Sequence, residues 1–185
     1  MLIAYGTRYG STEEISNKIA EILERKGFAT QLLDLKNTEE REWPPLKFFQ
    51  GVLVGSGIRG GKWVKEPKKF LEKNEEFKSK TKIFGLFISS GYASFPEKKP
   101  EIEKDYLEKV MAKLGVEADI YSPFGGLFDF SESSRMNFFE KKLLKTVLLR
   151  LAKDMKKQID EKTRIDLRDW DEIHRFAEDF AKILS

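Results

Sequence analysis

A short segment near the start of the chain has the residue types of an anion site. It reads Thr7-Arg8-Tyr9-Gly10-Ser11-Thr12, follows an apolar run over 1–5 and precedes an apolar pattern of helical period. A loop that opens a helix offers free backbone N–H groups and the positive end of the helix dipole, which together favour a phosphate. Because the loop contains no lysine, it is not the loop of nucleoside-triphosphate enzymes. The alternative is an ordinary helix start with Ser11 and Glu14 as a capping box.

Two further segments of small residues follow apolar runs. The first, with Gly55 before it, fits the G-x-G-x-x-G string of dinucleotide sites. Two features argue against a dinucleotide site. The segment follows the third predicted strand rather than the first, and the next strand ends at Ser89, where an acidic residue would be needed. We interpret its glycines as positions where the backbone approaches a planar ligand closely. The two segments comprise Ser56, Gly57, Ile58, Arg59 and Gly60, and Ser89, Ser90, Gly91, Tyr92 and Ala93.

Side chains that perform catalysis by themselves are scarce. The chain has no cysteine and a single histidine, His174, which excludes thiolate zinc sites, iron–sulfur clusters and cysteine nucleophiles. No serine–histidine–aspartate set and no metal-ligand cluster stands out, so we predict no metal and no catalytic acid or base. An enzyme of this composition takes its chemistry from a cofactor.

The elements that must position these segments alternate along the chain. Strands are predicted at 1–5, 29–35, 51–56, 82–89 and 116–123, with helices after the first loop and at 67–77, 100–114, 136–155 and 170–184. This order predicts an α/β fold with a doubly wound, five-stranded parallel sheet in a single domain, 1–185. A helical insertion, about 127–162, comes after or within strand 5, and Thr163–Leu167 reads as the second half of an interrupted fifth strand. Such sheets bind ligands at the carboxyl ends of their strands.

The basic residues are concentrated in the insertion. Between Met136 and Gln158 there are seven basic residues and two acidic ones, which gives this segment a net charge of +5. The whole chain has a net charge of +3, so the remaining residues carry −2. The predicted helix has an apolar stripe of Met136, Phe139, Leu143, Val147 and Leu151. One interpretation packs this stripe on the core with a solvated basic face. The other is a surface helix, about 136–158, that makes peripheral contact with anionic lipid or receives a lipophilic substrate.

Length and hydropathy give an expectation about location. The 185 residues include no uncharged apolar stretch of about 18 residues, the minimum for a membrane span, and the N-terminus lacks a basic leader region. We expect a cytoplasmic protein with no nucleic-acid partner. The sequence does not determine its oligomeric state.

Taken together, these residues resemble flavodoxin-fold proteins over nearly the whole chain. Within that fold the chain is most similar to the menaquinone-dependent protoporphyrinogen oxidase group. The resemblance rests on the first loop, on Ile58-Arg59 in the second segment, on the basic aromatic insertion, and on the tail Thr163-Arg164 to Asp169-Trp170.

The resemblance implies an FMN cofactor. Thr7, Ser11 and Thr12 would hold its phosphate, and the segments 56–60 and 89–93 would flank its ring. The group's activity, part of heme biosynthesis, moves electrons from a lipophilic tetrapyrrole such as protoporphyrinogen IX to a quinone. Arg59 stands where electron-carrier flavodoxins have an aromatic residue, and it would tune the flavin or meet a substrate carboxylate.

A flavodoxin-like electron carrier without its own substrate is the alternative function. Such carriers are usually acidic, whereas this chain has a sequence pI near 8.9. The basic insertion therefore favours the enzyme.

Overall fold

Five apolar segments pair side by side as a parallel sheet in the computed structural model, which describes residues 1–132, 134–155 and 164–185. The strands are β1 (Leu2–Gly6), β2 (Gln31–Asp34), β3 (Gly51–Arg59), β4 (Lys62–Trp63), β5 (Ile83–Ser89), β6 (Ile120–Phe124), β7 (Leu127–Asp129) and β8 (Arg164–Asp166). Their order in the sheet is β2-β1-β3-β5-β6, so the predicted α/β, doubly wound, five-stranded parallel sheet is confirmed. β4 pairs antiparallel with the end of β3, and β7 and β8 form a separate antiparallel pair.

The helices connect these strands across both faces of the sheet. They are α1 (Ser11–Arg25), α2 (Lys65–Lys73), α3 (Lys99–Glu103), α4 (Lys109–Leu114), α5 (Phe138–Met155) and α6 (Trp170–Leu184), with a π-helical turn, Lys104–Glu108, between α3 and α4. Asp169 caps α6 as predicted, since its side chain accepts hydrogen bonds from the backbone N–H groups of Asp171 and Glu172. Along the ranges that the structure describes, no helix combines the length and apolar composition that a membrane span requires.

Successive residues of the central strands point to opposite faces and fill two separate cores. On one face Phe70 of α2 packs with Phe84 of β5. On the other, Phe87 and Phe124 pack against α1 and α6, and Phe176 of α6 lies edge-on to Phe124. Each fully buried side chain of this size stabilises the fold by about 1.5–3 kcal/mol. The sheet is therefore held on both sides, which fixes the positions of its strand ends.

Three predicted boundaries are wrong for physical reasons. The segment 56–59 is not a loop, because β3 continues through it and turns at Gly60 into a hairpin with β4. The fifth strand of the main sheet begins at Ile120 rather than at Val116, whose side chain is buried in the core beside α4.

The third boundary concerns Thr163–Leu167. β8 pairs with β7 rather than continuing the fifth strand; Thr163 itself lies outside the described residues.

The insertion adds a third, smaller apolar cluster. Leu148 of α5 packs with Phe95 and Phe128 in this cluster. The interpretation that packs the apolar stripe on the core is wrong for two members of that stripe, because Phe139 and Leu143 are 79% and 68% exposed. The side chains of Val147 and Leu151, which completed the predicted stripe, lie outside the described residues. α5 thus turns an apolar face to solvent.

Candidate functional site

A cleft opens at the carboxyl ends of β1, β3 and β5. The chain runs from β1 to β2 on one side and then crosses to β3 on the other side of β1. The cleft therefore lies at the switch point where doubly wound sheets bind ligands. The cleft is lined by Thr7, Arg8, Tyr9, Ser11, Thr12, Gly57, Ile58, Arg59, Val64, Ser89, Gly91, Gly126, Leu127, Phe128 and Leu144.

The first loop enters α1 through Gly10 rather than through a capping side chain. Gly10 is the N-cap residue with φ 97°, a left-handed conformation that favours glycine, and no side chain caps the helix. The capping box of Ser11 and Glu14 is therefore not formed. Thr7 Oγ1 accepts the Gly10 N–H at 3.0 Å, which folds the loop on itself. The first N–H groups of α1 have no intrahelical partners, as at any helix start.

Thr12 provides the observation that best fits a bound ligand. Its Oγ1 is buried and, among the described residues, has no hydrogen-bond partner. Leaving a buried hydroxyl unpaired costs about 1–3 kcal/mol. A Cβ on Gly57 would lie only 3.2 Å from this oxygen, so glycine there keeps the space beside the hydroxyl free. An unpaired hydroxyl beside a helix N-terminus fits a phosphomonoester, the group that the resemblance implies.

The three predicted segments converge on the cleft to different extents. Ser11 Oγ lies 2.7 Å from Ser89 Oγ, which joins the first segment to the third. Six of the predicted residues do not line the cleft: Gly10, Ser56, Gly60, Ser90, Tyr92 and Ala93. Ala93 is fully buried in the core and Ser56 Oγ donates to the carbonyl of Gly57 at 3.1 Å. Direct contacts of these residues with a ligand stay a prediction.

Apolar residues that the sequence did not single out as ligand contacts complete the cleft. Val64 comes from the segment between β4 and α2, Leu127 and Phe128 come from β7, and Leu144 comes from α5. The crowding of phenylalanines in the insertion was a visible signal. The residues that face the cleft were not predictable, because Phe128 depends on the pairing of β7 with β8 and Leu144 depends on how α5 is rotated.

A carboxylate of α5 connects the insertion to the mouth of the cleft. Glu140 Oε1 accepts from Arg8 at 2.9 Å (Nη2) and 3.2 Å (Nε), and Arg59 Nη2 lies 3.5 Å away. The hydrogen bond from Arg8 holds the pKa of Glu140 below its ordinary value, and the same contact raises the pKa of Arg8. Burial, together with the Glu140 charge, raises the pKa of Tyr9. Glu140 was not predicted from the sequence.

A buried arginine supports the first loop from behind. Arg168 donates to Asp166 Oδ1 and Oδ2 at 2.7 Å, to Glu14 Oε2 at 2.8 Å and to the carbonyl of Ser11 at 3.4 Å. Its guanidinium also lies 4.4 Å from the Trp170 ring centroid. Burial opposes the charge of Arg168, but the hydrogen bonds to Asp166 and Glu14 outweigh it and raise the pKa. Arg168 therefore fixes β8 to the start of α1.

Comparison with known proteins identifies similar sequences and similar folds. A family model described as a flavodoxin domain matches residues 2–158. The protoporphyrinogen IX dehydrogenase [quinone] of Escherichia coli (strain K12) is 22% identical over 182 residues, which cover 98% of this chain and 94% of that protein.

Solved structures of low sequence identity share the fold. Oxidised flavodoxin 1 of Bacillus cereus aligns with a TM-score of 0.57 at 15% identity, over 100% of this chain and 98% of that one. The rubredoxin oxygen:oxidoreductase of Desulfovibrio gigas aligns with the same TM-score and identity over 99% of this chain, which spans only 35% of that protein.

Proposed function

Because this chain belongs to the flavodoxin domain family, we propose that it is an FMN-dependent oxidoreductase that oxidises a lipophilic tetrapyrrole of the protoporphyrinogen IX type with a quinone as acceptor. FMN, when bound, supplies the reversible uptake of two electrons. The similarity to the E. coli dehydrogenase over nearly the full length of both chains supports the substrate class.

In this proposal, different residues of the cleft bind the phosphate and the ring of FMN. Thr12 Oγ1 and the first N–H groups of α1 hold the phosphate, and Ser11 and Thr7 shape the loop around it. Gly57 allows the backbone of β3 to approach the ring. Arg59 brings a positive charge to the same strand end, where it favours negative charge that develops nearby.

The apolar wall that α5 adds to the cleft is the observation that favours an enzyme over an electron carrier. Leu144 of α5 and Phe128 of β7 line the cleft together with the strand-end residues. An apolar wall excludes water and offers contact area to a large apolar substrate. A carrier that exchanges electrons with a protein partner needs no such enclosure.

We also propose that α5 rests on an anionic bilayer, from which lipophilic substrates would enter. Phe138, Phe139 and Leu143 are exposed on this helix, and exposed Lys142 lies beside them. Aromatic residues next to lysines are the composition of helices that lie in the interface of an anionic membrane. The segment proposed from the sequence, about 136–158, extends beyond the described residues at its end.

The first test is flavin binding by the purified protein and by Thr12→Val. Valine keeps the shape of threonine but lacks the hydroxyl, so we expect FMN affinity to fall about tenfold, the equivalent of one hydrogen bond to a charged group. Riboflavin lacks the phosphate, and its affinity should not change. Fluorescence titration measures both, and an equal loss for the two flavins would contradict the phosphate site.

The second part of the test concerns the reaction. Anaerobic mixing of the FMN-loaded protein with protoporphyrinogen IX should bleach the flavin absorbance, and a quinone should restore it. A flavin that binds but is not bleached by the tetrapyrrole would favour the electron carrier.

A further inference from the structure

Two arginines at the mouth of the cleft share one carboxylate oxygen. Arg8 and Arg59 both line the cleft, yet both reach the same atom, Glu140 Oε1, on the insertion. Each guanidinium has five N–H donors, so a single oxygen leaves most of this donor capacity unused. The two arginines carry two positive charges, of which the single negative charge of Glu140 balances one.

The contact is accessible to an arriving ligand. The side chains of Arg8 and Arg59 are 41% and 55% exposed, whereas Glu140 is 11% exposed. Both guanidinium groups are thus open to solvent, so an arriving carboxylate can reach their free N–H donors. Glu140 also has a second role that does not need the arginines. Its Oε2 accepts the Asn137 N–H at 3.1 Å, and its own N–H donates to Asn137 Oδ1 at 2.9 Å, which caps α5.

We propose that Arg8 and Arg59 form a carboxylate clamp for the substrate, and that Glu140 occupies this clamp as an internal stand-in until a substrate carboxylate replaces it. The inference rests on the proposed function, because protoporphyrinogen-type tetrapyrroles carry two carboxylates on an apolar ring system. The apolar ring would lie against Leu144 and Phe128, and a carboxylate would reach the arginines. The clamp thus determines which end of the substrate lies toward β3.

The clamp is distinct from the phosphate site. Thr12 Oγ1 is buried at the base of the first loop, whereas the guanidinium of Arg8 is directed to α5 at the mouth. FMN phosphate is nevertheless the other anion of this system, so the experiment includes it.

The test compares binding of protoporphyrin IX and of its dimethyl ester to the FMN-loaded protein in one detergent buffer, followed by fluorescence quenching. The diacid carries the carboxylates and the ester does not. Arg8→Gln and Arg59→Gln should each weaken diacid binding about tenfold, as expected for one charge-assisted hydrogen bond, and leave ester binding unchanged. Arg135→Gln removes a charge near the same loop, outside the lining of the cleft, and should leave both affinities unchanged.

Glu140→Gln is the informative variant, because glutamine retains the cap of α5 but removes the competing charge. It should tighten diacid binding by about threefold to tenfold, since the clamp is then unoccupied in the free protein. Weaker diacid binding in this variant would show that Glu140 only orders the site, and would overturn the proposal.

Two other results would also overturn it. One is an equal loss of diacid and ester affinity in the arginine variants. The other is a loss of FMN affinity without loss of riboflavin affinity, which would assign the arginines to the flavin phosphate. Failure of the proposed function is a separate outcome, namely a wild-type protein that retains no FMN.

Discussion

Arg168 shows how a single buried charge maintains the loop at the centre of the site. Its side chain is 1% exposed and bonds to Asp166, Glu14 and the carbonyl of Ser11. Burial disfavours ionisation of Asp166, but the hydrogen bonds from Arg168 outweigh burial and hold its pKa below the ordinary value. Removing the arginine would leave two carboxylates facing each other without their shared cation.

We therefore predict that Arg168→Met lowers the free energy of unfolding by about 2–3 kcal/mol, less than for a fully buried pair because both carboxylates are partly exposed. Arg164 provides the matched control, since it also pairs with Glu14 but is 49% exposed. Arg164→Met should change stability by less than about 1 kcal/mol. Urea denaturation measures both, and equal effects would show that burial of Arg168 has no special role.

At the scale of single residues, the sequence predicted which residues line the site better than it predicted their hydrogen-bond partners. Thr7, Ser11 and Thr12 were singled out as phosphate ligands because hydroxyls before a helix are a local pattern, and the structure brings them to one cleft. Glu140 and Arg168 were missed, since their partners Arg8 and Ser11 are 132 and 157 positions away. Sequence patterns extend over only a few neighbouring residues, so they do not reveal pairs that are this far apart in the chain.

At the scale of elements, the sheet was predictable and the face of α5 was not. Continuous apolar runs between turn residues identify buried strands with few alternatives. An apolar period in a helix identifies a stripe, but in α5 the charged Glu140 faces the protein along with Leu148, while Phe139 and Leu143 face solvent. The packing of Leu148 on Phe128 fixes the rotation of this helix, and Glu140 reaches Arg8 and Arg59 from the same side of it.

The exposed face of α5 leads to a prediction about membranes. The double variant Phe139→Ser, Leu143→Ser should lower partitioning onto vesicles of anionic phospholipid by on the order of tenfold, because two apolar anchors are lost. Its stability should change by no more than about 0.5 kcal/mol, since both side chains are exposed. Vesicle co-sedimentation measures the binding, which should also weaken with added salt.

Phe48 provides the control for this experiment. It is 72% exposed and precedes β3, away from the insertion. Phe48→Ser should leave vesicle binding unchanged. If the wild-type protein and the double variant sediment with vesicles to the same extent, α5 is not the contact.

At the scale of the whole molecule, the apolar clusters suggest that the insertion is an addition to a complete domain. The two large cores on the faces of the sheet draw on α1 to α4, α6 and the main strands. Leu148 of α5 belongs to the separate third cluster, with Phe95 and Phe128. The insertion also begins and ends at one place, because Asp129 of β7 pairs with Arg164 of β8.

This pairing allows the insertion to be removed cleanly. Replacing residues 130–163 with Asn-Gly would join β7 and β8 through a two-residue turn that antiparallel strands accept.

We expect the shortened protein to keep its cooperative unfolding and its α/β circular dichroism, because both large cores remain. FMN should still bind, with affinity reduced by less than about tenfold, since Thr12 and the start of α1 are unchanged. Binding to anionic vesicles should be lost if the insertion carries the membrane contact. Porphyrin affinity should fall for the diacid and the ester alike, because the wall at Leu144 is removed while Arg8 and Arg59 remain. Loss of cooperative unfolding would instead show that α5 is part of the core, and that the sheet cannot fold without it.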